Sequence, residues 1–343
     1  MRKLLNTLFI LSEDGYLTVD GDNIVILSGK ETLGRFPLHT LENIISFTYK
    51  GGTPALMGAC AERDIGLAFF SPNGKFLARI HGKTYGNVLL RKEQYRISDD
   101  EQRSCSYAKN MILGKVYNCR WSLERTVRDN GFRVELEKIK SVSNELQESL
   151  KKIRGSNSLD NLRGLEGQLA SQYFSVFDEL IINQKEDFTF TTRNRRPPLD
   201  KINAILSFAY TILANECANA LEGVGLDAYV GFMHRDRPGR QSLALDLMEE
   251  LRGIMAERFV LTLINTRVIQ SNDFVEQSDG AVLLNEKGRK QFFTSWQNHK
   301  KEKIIHPYLQ EKTEWGLVPH IQALLLARTI RGDLQEYPPF LWK

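Results

Sequence analysis

Two neighbouring stretches of this sequence carry imidazole and carboxylate side chains that could hold a divalent cation. His234 lies in GFMHRDRPGR, and SLALDLMEELR, which contains Asp246 and Glu249, follows directly. On a helix, residues three apart project from neighbouring points of one face, so Asp246 and Glu249 could share one cation, and Glu250 lies four residues from Asp246. Because no thiolate accompanies these ligands, the set favours Mg²⁺ or Mn²⁺ over zinc.

A more distant acidic residue, Glu166, completes the candidate ligand set. It lies in RGLEGQLA between Gly164 and Gly167. Glycines inside a helix reduce its stability, and their missing side chains would permit close approach of another backbone or of a substrate. Asp246 is the most informative residue, because an ionised carboxylate among the apolar residues of SLALDLM is costly to desolvate unless a cation or partner compensates.

Each candidate also has a plainer interpretation. An acidic pair on a helix commonly faces solvent, and a loop histidine commonly makes an ordinary hydrogen bond. What strengthens the chemical interpretation is a concentration of guanidinium groups near the same stretches. Two groups of arginines, one before a predicted helix and one around the loop histidine, are candidate phosphate-binding residues: Arg193, Arg195, Arg196, Arg235, Arg237 and Arg240.

Arginine beside candidate metal ligands indicates a phosphate-bearing substrate. Guanidinium groups bind phosphate oxygens in a bidentate manner, and a bound metal polarises a phosphoryl oxygen. The sequence therefore predicts phosphodiester chemistry.

The elements that must position these residues change character near residue 92. Before that point, turn signals such as Asp14-Gly15 and Asp20-Gly21 separate short apolar runs, which predicts strands joined by hairpins. The predicted strands are LLNTLFIL, GYLTVD, NIVILS, NIISFTY, IGLAFFS and KFLARIHG, with one short helix in ALMGACAERD.

From Tyr95 onward the pattern is long and amphipathic, which predicts helices. The predicted helices span roughly residues 95–128, 131–154, 160–184, 199–222, 240–270, 286–303 and 314–331. A chain of 343 residues exceeds what one core usually serves. We therefore expect an α+β protein with a small β-rich N-terminal domain of β-sandwich-like hairpins (residues 1–92) and a larger all-α catalytic domain (residues 93–343).

Composition argues against a disordered protein and against a membrane-spanning one. Hydrophobic residues at 42% and charged residues at 26% are those of an ordinary folded protein, and a net charge of +4 supports a polyanionic partner only weakly. No run approaches the roughly 20 apolar residues of a membrane span, and MRKLLNTLFIL predicts a first strand rather than a secretion signal, so a cytoplasmic location is expected. The cysteines are widely spaced and predicted to be reduced: Cys60, Cys105, Cys119 and Cys217.

Three blocks together resemble a known family over essentially the whole chain. RGLEG, RNRRPPLDKINAILSFAYTIL and H-x7-SLALDLMEELR are similar to the signature blocks of the first and universal CRISPR-associated protein, the spacer-acquisition integrase. KGGTPALMGACAERDIGLAFF is similar to the type I-C branch. Gln241 and Gly253 stand where the family commonly has proline, which puts the local loop geometry in question.

The resemblance implies roles for the candidate residues. Glu166, His234 and Glu249 would hold Mg²⁺ or Mn²⁺, Asp246 would support the metal or a bound water, and the arginines would grip the DNA backbone. All four acidic and imidazole residues would be catalytic.

The resemblance also implies partners and a reaction in a prokaryotic cytoplasm. A homodimer formed through the β-rich domain would be bridged by a small second CRISPR adaptation protein. Double-stranded DNA, the prespacer and the CRISPR repeat, would lie across the assembly. The 3′-hydroxyl of a captured fragment would attack a phosphodiester at the repeat boundary.

Two other functions stay open at this point. A general metal-dependent nuclease for branched or single-stranded DNA would use the same ligands, but water would replace the 3′-hydroxyl. A DNA-binding scaffold, whose carboxylates only cap helices or pair with arginines, would need no divalent cation and would bind DNA with a steep salt dependence.

Overall fold

The computed structural model describes residues 6–12, 14–72, 76–80, 88–194 and 197–343, which form two compact units. Unit one comprises Met1–Tyr85, Leu284–Glu302 and Glu314–Leu317, and unit two comprises Gly86–Leu283, Lys303–Thr313 and Val318–Lys343. Unit one therefore takes two of its segments from the C-terminal part of the chain. A single division at residue 92, as predicted, does not describe this arrangement.

The N-terminal region is rich in strands, as predicted. Its strands are β1 (Thr7–Ile10), β2 (Tyr16–Asp20), β3 (Asn23–Ser28), β4 (Glu31–Pro37), β5 (Asn43–Ser46), β6 (Gly66–Phe70) and β7 (Phe76–Ile80). They form a three-stranded antiparallel sheet, β2-β3-β4, and a four-stranded sheet in the order β1-β5-β6-β7. In the second sheet only β6 and β7 pair antiparallel, since β5 pairs in parallel with both β1 and β6. The predicted hairpins therefore account for only part of this region.

The helices are numbered in chain order. They are α1 (Pro54–Glu62), α2 (Val88–Asp99), α3 (Glu101–Asn130), α4 (Leu136–Gly155), α5 (Leu159–Ser175), α6 (Lys201–Gly223), α7 (Ser242–Leu251), α8 (Arg258–Asn265), α9 (Glu286–Lys301) and α10 (Val318–Ile330). Four further short strands are β8 (Phe274–Glu276), β9 (Val282–Leu284), β10 (Lys303–Ile305) and β11 (Lys312–Glu314). The C-terminal domain is helical as predicted, apart from these short ladders.

Local sequence explains the unit one elements. The turn between β2 and β3 is closed by Gly21 at φ 57°, a left-handed conformation that glycine adopts without steric cost. α1 supplies the crossover that the parallel pairing of β5 and β6 requires, and its N-terminus is capped by Thr53. β4 was missed by the sequence pattern because nearly all of its residues are exposed, so no apolar alternation marks it.

Helix α9 belongs to unit one through its aromatic stripe. Phe293 stacks on Phe9 of β1 with ring centroids 3.9 Å apart, and Phe292 and Trp296 are buried beside it. Burial of these rings makes the stripe a packing surface.

In unit two, α3 is the central helix and packs against α4, α5 and α7. Asp100 caps its N-terminus by accepting from Gln102 N and Arg103 N, which separates α3 from α2 within the single stretch predicted at 95–128. The stretch predicted at 240–270 is also subdivided, because a π-helical segment, Arg252–Glu257, joins α7 to α8.

All four cysteines are free and buried. Within the described ranges, no helix combines the length and the apolar character needed to cross a bilayer.

Candidate active site

Asp246 on α7 is buried and holds the loop before that helix. Its carboxylate accepts backbone N–H groups from Phe232 (2.6 Å), Met233 (3.0 Å) and His234 (3.0 Å), and the Nδ1 atom of His234 lies 2.6 Å from its Oδ1. The desolvation cost inferred from the sequence is thus offset by backbone donors. Because Nδ1–H donates to the carboxylate, the Nε2 atom of His234 keeps the lone pair that a metal ligand needs.

Gly231 permits this loop to approach α7. A Cβ atom at this position would lie 2.8 Å from the Cβ of Ser242 and 2.9 Å from Oδ2 of Asp246, closer than real Cβ atoms come. The residue was not selected from the sequence, although it directly precedes Phe232-Met233-His234. Its role is to let the N–H groups of the loop reach the carboxylate.

Glu166 of α5 and Glu249 of α7 converge on one cation of the protein itself. Lys115 of α3 is buried, and its Nζ donates to Oε2 of Glu249 at 2.6 Å and to Oε1 of Glu166. The side chain of Glu166 is 23% exposed and that of Glu249 only 9%, so the pair opens to solvent on the Glu166 side. Residues predicted to be ligands therefore do come together, from stretches 83 positions apart in the chain.

A second cation, Arg252, lies on the π-helical segment after α7. Its guanidinium contacts Oε1 of Glu249 (3.3 Å) and Oε1 of Glu257 (3.0 Å), and it lies over the ring of Tyr210, 4.2 Å from the centroid. The hydroxyl of Tyr210 also donates to Oε1 of Glu257 at 2.6 Å. We call Glu166, Glu249, Glu257, Lys115 and Arg252 together the carboxylate cluster.

Charge in the carboxylate cluster shifts the ionisation of its members. Burial alone would raise the pKa of Glu249, but the charges of Lys115 and Arg252 lower it far below its usual range. Burial alone would lower the pKa of Lys115, but the charges of Glu249 and Glu166 raise it. His234 also lies within electrostatic reach of Glu249.

The cluster holds three carboxylates and two cations, which leaves one excess negative charge when all five groups are ionised. Asp246, one helical turn before Glu249, contributes another. A divalent cation would match this excess. The donor types, carboxylate and imidazole, are those that Mg²⁺ and Mn²⁺ accept, so the residues fit such an ion.

The ligands do not form a closed set in this arrangement. Among the residues that the structure describes, no three His, Cys, Asp or Glu side chains surround one point as metal ligands. They form two pairs, Glu166 with Glu249 through Lys115 and His234 with Asp246 directly, which α7 links.

Gly164 and Gly167, on either side of Glu166, were expected to allow close approach of another backbone or of a substrate. Within the described residues no backbone approaches them. A Cβ at Gly164 or Gly167 would meet nothing within 4 Å in the described part of the chain, and both residues are exposed. The face of α5 that carries them is open.

Glu250, which follows Glu249 in the chain, lies on a different face of α7, about 100° around the helix axis. Its carboxylate accepts from Gln322 Nε2 (3.0 Å), from Phe340 N (3.2 Å) and from the hydroxyl of Tyr337. Burial raises its pKa to about 7. It holds the C-terminal residues 337–342, which we call the C-terminal strap, and takes no part in the carboxylate cluster.

In the first group of arginines, Arg193 makes contacts within the fold. The guanidinium of Arg193 donates to Oδ1 of Asn203 (2.6 Å) and Oγ of Ser207 (3.0 Å), and lies 5.3 Å from the ring centroid of Tyr210. These contacts fix the segment before α6, which is a structural role that the sequence did not predict. Arg195 and Arg196 lie outside the described residues.

The second group surrounds His234. Arg235 and Arg237 are exposed and Arg240 is half-buried. Arg235 contacts Oδ1 of Asp160 at 3.0 Å, but its side chain remains 69% exposed. These guanidinium groups can therefore meet a phosphate backbone at the open side of the site.

Lys115 and Arg252 were missed from the sequence. Lys115 lies in MILGKVYN, a charge among apolar residues, and the desolvation argument that selected Asp246 would have selected it too. Arg252 gave a weaker signal, because an arginine after an acidic helix is common at helix ends.

The chain matches one protein family along most of its length. The model of the family described as CRISPR associated protein Cas1 matches residues 8–298. The chain is 46% identical to CRISPR-associated endonuclease Cas1 2 of Rhodospirillum rubrum, and 41% identical to CRISPR-associated endonuclease Cas1 1 of Chlorobaculum tepidum. In both comparisons the whole of each chain is covered.

Solved structures share the fold. A casposase bound to its integration product superposes with a TM-score of 0.84 at 22% identity, covering 98% of this chain and 94% of the casposase. The structure of a Cas6-RT-Cas1–Cas2 complex superposes with a TM-score of 0.81 at 21% identity, covering 98% of this chain and 36% of the other chain.

Proposed function

Since the chain belongs to the Cas1 family of CRISPR-associated proteins, we propose that it is an integrase that inserts captured DNA fragments into a CRISPR array. The 3′-hydroxyl of the fragment attacks a phosphodiester at the repeat boundary, and the 3′-oxygen on the other side of that phosphate leaves. One phosphodiester replaces another, so no external energy source is required. The observation that carries the proposal is the convergence of Glu166 and Glu249 on one positive charge beside an oriented imidazole.

The proposed metal ligands are Glu166, His234 and Glu249. A bound Mg²⁺ or Mn²⁺ would supply Lewis-acid stabilisation of charge on the attacked phosphate. Asp246 accepts a hydrogen bond from Nδ1 of His234 and so orients the imidazole. The Nε2 atom then keeps the lone pair that would bind the metal.

The arginines of the His234 loop supply the phosphate contacts in this proposal. Arg235 and Arg237 are exposed on the loop that follows the imidazole, where their guanidinium groups would bind the oxygens of the DNA backbone. Arg240 lies at the end of the same loop. The guanidinium of Arg193 donates to Asn203 and Ser207 within the fold, so we assign this residue no direct DNA contact.

The partners follow from family membership and from the fold likeness to a protein solved in a Cas1–Cas2 complex. We propose a homodimer that pairs through the N-terminal strand-rich region, with the small Cas2 protein bridging two dimers. Double-stranded DNA, both prespacer and repeat, is the substrate. The type I-C assignment stays a prediction.

The decisive experiment compares Glu166→Gln and His234→Ala with Glu145→Gln, an exposed carboxylate on α4. We expect joining of a 3′-hydroxyl fragment to a repeat-containing plasmid in Mn²⁺ to fall at least a hundredfold in the first two, by loss of a metal ligand, and to be unchanged in the control. Undiminished joining by a folded Glu166→Gln variant would contradict the proposal.

A second candidate is a metal-dependent nuclease, which is favoured by the relatives being named CRISPR-associated endonucleases. Fragments that end in a 3′-phosphate distinguish the two activities, because joining requires the free hydroxyl and hydrolysis by water does not. If strand breaks in the plasmid form equally with blocked fragments, the protein is a nuclease rather than an integrase.

A further inference from the structure

Lys115 holds both carboxylates that the proposed metal requires. Its ammonium group donates to Oε2 of Glu249 at 2.6 Å and to Oε1 of Glu166, while Arg252 contacts Oε1 of Glu249 at the longer distance of 3.3 Å. A carboxylate oxygen that coordinates a metal must turn a lone pair toward it. The shortest contact of Glu249 is therefore the one that a metal must compete with.

A further carboxylate, Glu257, lines the same pocket as Lys115. The pocket is lined by Lys115, Cys119, Glu166, Tyr173, Phe174 and Glu257. Glu257 is buried, and its Oε1 accepts from Tyr210 and Arg252. Among the described residues its Oε2 accepts no well-formed hydrogen bond, and the hydroxyl of Tyr173 is the neighbour that interacts with this carboxylate. A buried carboxylate oxygen in this state is costly, so Oε2 could accept from a further donor.

We propose that Lys115 is an internal cation with two positions: it bridges Glu166 and Glu249 until a divalent cation takes those carboxylates, and then turns to Oε2 of Glu257. This inference rests on the metal site of the proposed function. In the first position the ammonium keeps two like charges from repelling one another. In the second it remains paired inside the protein, so that no buried lysine is left uncompensated. Lys115 thereby sets how tightly the site binds its metal.

The test measures binding of Mn²⁺ by calorimetry with the full-length protein and no DNA. Lys115→Met removes the competing charge, so its dissociation constant for Mn²⁺ should fall about tenfold. Glu257→Gln removes the charge of the second acceptor, so its dissociation constant should rise about threefold, and it should have no effect when Lys115 is already Met. Lys109→Met, on the same helix, removes an ammonium that donates to the carbonyl of Ser156, and this matched control should bind as wild type does.

An unchanged or weaker Mn²⁺ affinity in folded Lys115→Met overturns the inference, and so does an equal effect of Glu257→Gln in both backgrounds. If Lys115→Met does not fold, a crystal structure of the wild-type protein soaked in Mn²⁺ decides. Nζ must then lie within hydrogen-bonding distance of Glu257, and retention of both original contacts contradicts the proposal. Because no DNA is present, a protein that binds Mn²⁺ as expected but joins no DNA would fail the proposed function and not this inference.

Discussion

Glu249 and Glu250 are adjacent on α7 and both are buried, yet their surroundings shift the pKa values of the two carboxyls in opposite directions. Glu249 lies between Lys115 and Arg252, which lower its pKa, whereas Glu250 lies among uncharged donors and its pKa is raised to about 7. Burial is nearly the same in the two cases. The charge of the partner therefore decides whether a buried carboxylate stays an anion that can bind a metal or becomes a neutral structural group.

The largest expected effect is a difference in DNA-joining activity between a Glu249 variant and a Glu250 variant. Glu249→Gln should reduce DNA joining at least a thousandfold, about 4 kcal/mol in activation free energy, because it removes an anionic ligand from the reacting centre. Glu250→Gln should retain joining within a few-fold, since an amide oxygen can still accept from Tyr337 and Gln322. Both are measured by the plasmid-joining assay in Mn²⁺. Equal losses would remove the distinction between the two faces.

Asp246, on the same face of α7 as Glu249, should show a large effect on stability as well. Asp246→Asn should lower the free energy of unfolding by about 4 kcal/mol, because an amide nitrogen cannot accept from the backbone donors that now meet both oxygens. Urea denaturation measures this change. Asp160→Asn, at an exposed carboxylate, is the control and should unfold like the wild type. A stable Asp246→Asn protein would show that the loop is held by other contacts.

The contribution of Glu250 to the unfolding free energy should depend on pH. Burial raises the pKa of Glu250 to about 7 in the folded protein, above its usual value of 4.5, so the folded state binds a proton that the unfolded state has released between these values. Stability from this group is therefore present in full below pH 4.5, falls as pH rises toward 7, and levels off above it, a change on the order of 3 kcal/mol. The difference in unfolding free energy between wild type and Glu250→Gln, measured from pH 4.5 to 8, should show this slope. A difference that is constant with pH would mean that Glu250 is ionised in the fold.

The smallest effect concerns the C-terminal strap. Tyr337→Phe removes one donor to Glu250 and should lower the unfolding free energy by about 1 kcal/mol without loss of DNA joining. Thermal melting and the joining assay together measure this. A loss of joining comparable to that of Glu249→Gln would show that the strap supports the active face.

Much of the site could be predicted because its ligands lie in locally informative stretches. Asp246 was recognised by its apolar setting, and the structure supplies the compensation that this setting requires. The sequence suggested a cation as the group that compensates the charge of Asp246. In the structure, backbone N–H groups of the preceding loop compensate it. Local sequence signals that a partner is needed but does not identify it.

Other features escaped because their signals are not local. The parallel pairing of β5 with β1 and β6 depends on long-range contacts, whereas turn residues reveal only hairpins. Arg193 belongs to a basic run that is typical of a phosphate-binding surface, but its guanidinium donates to Asn203 and Ser207, which lie 10 and 14 positions further along the chain. Composition gives the number of charges and not their partners.

The sequence by itself determined the family, the order of a strand-rich region followed by a helical domain, and the identity of the acidic and imidazole candidates. These follow from residue type and spacing, which are written in the chain. Only the tertiary structure decided that Lys115 stands between Glu166 and Glu249, and that Glu249 and Glu250 face opposite environments. The electrostatic energy of a buried charge depends on groups within a few ångströms, and the packing of α3, α5 and α7 brings those groups together from distant parts of the chain.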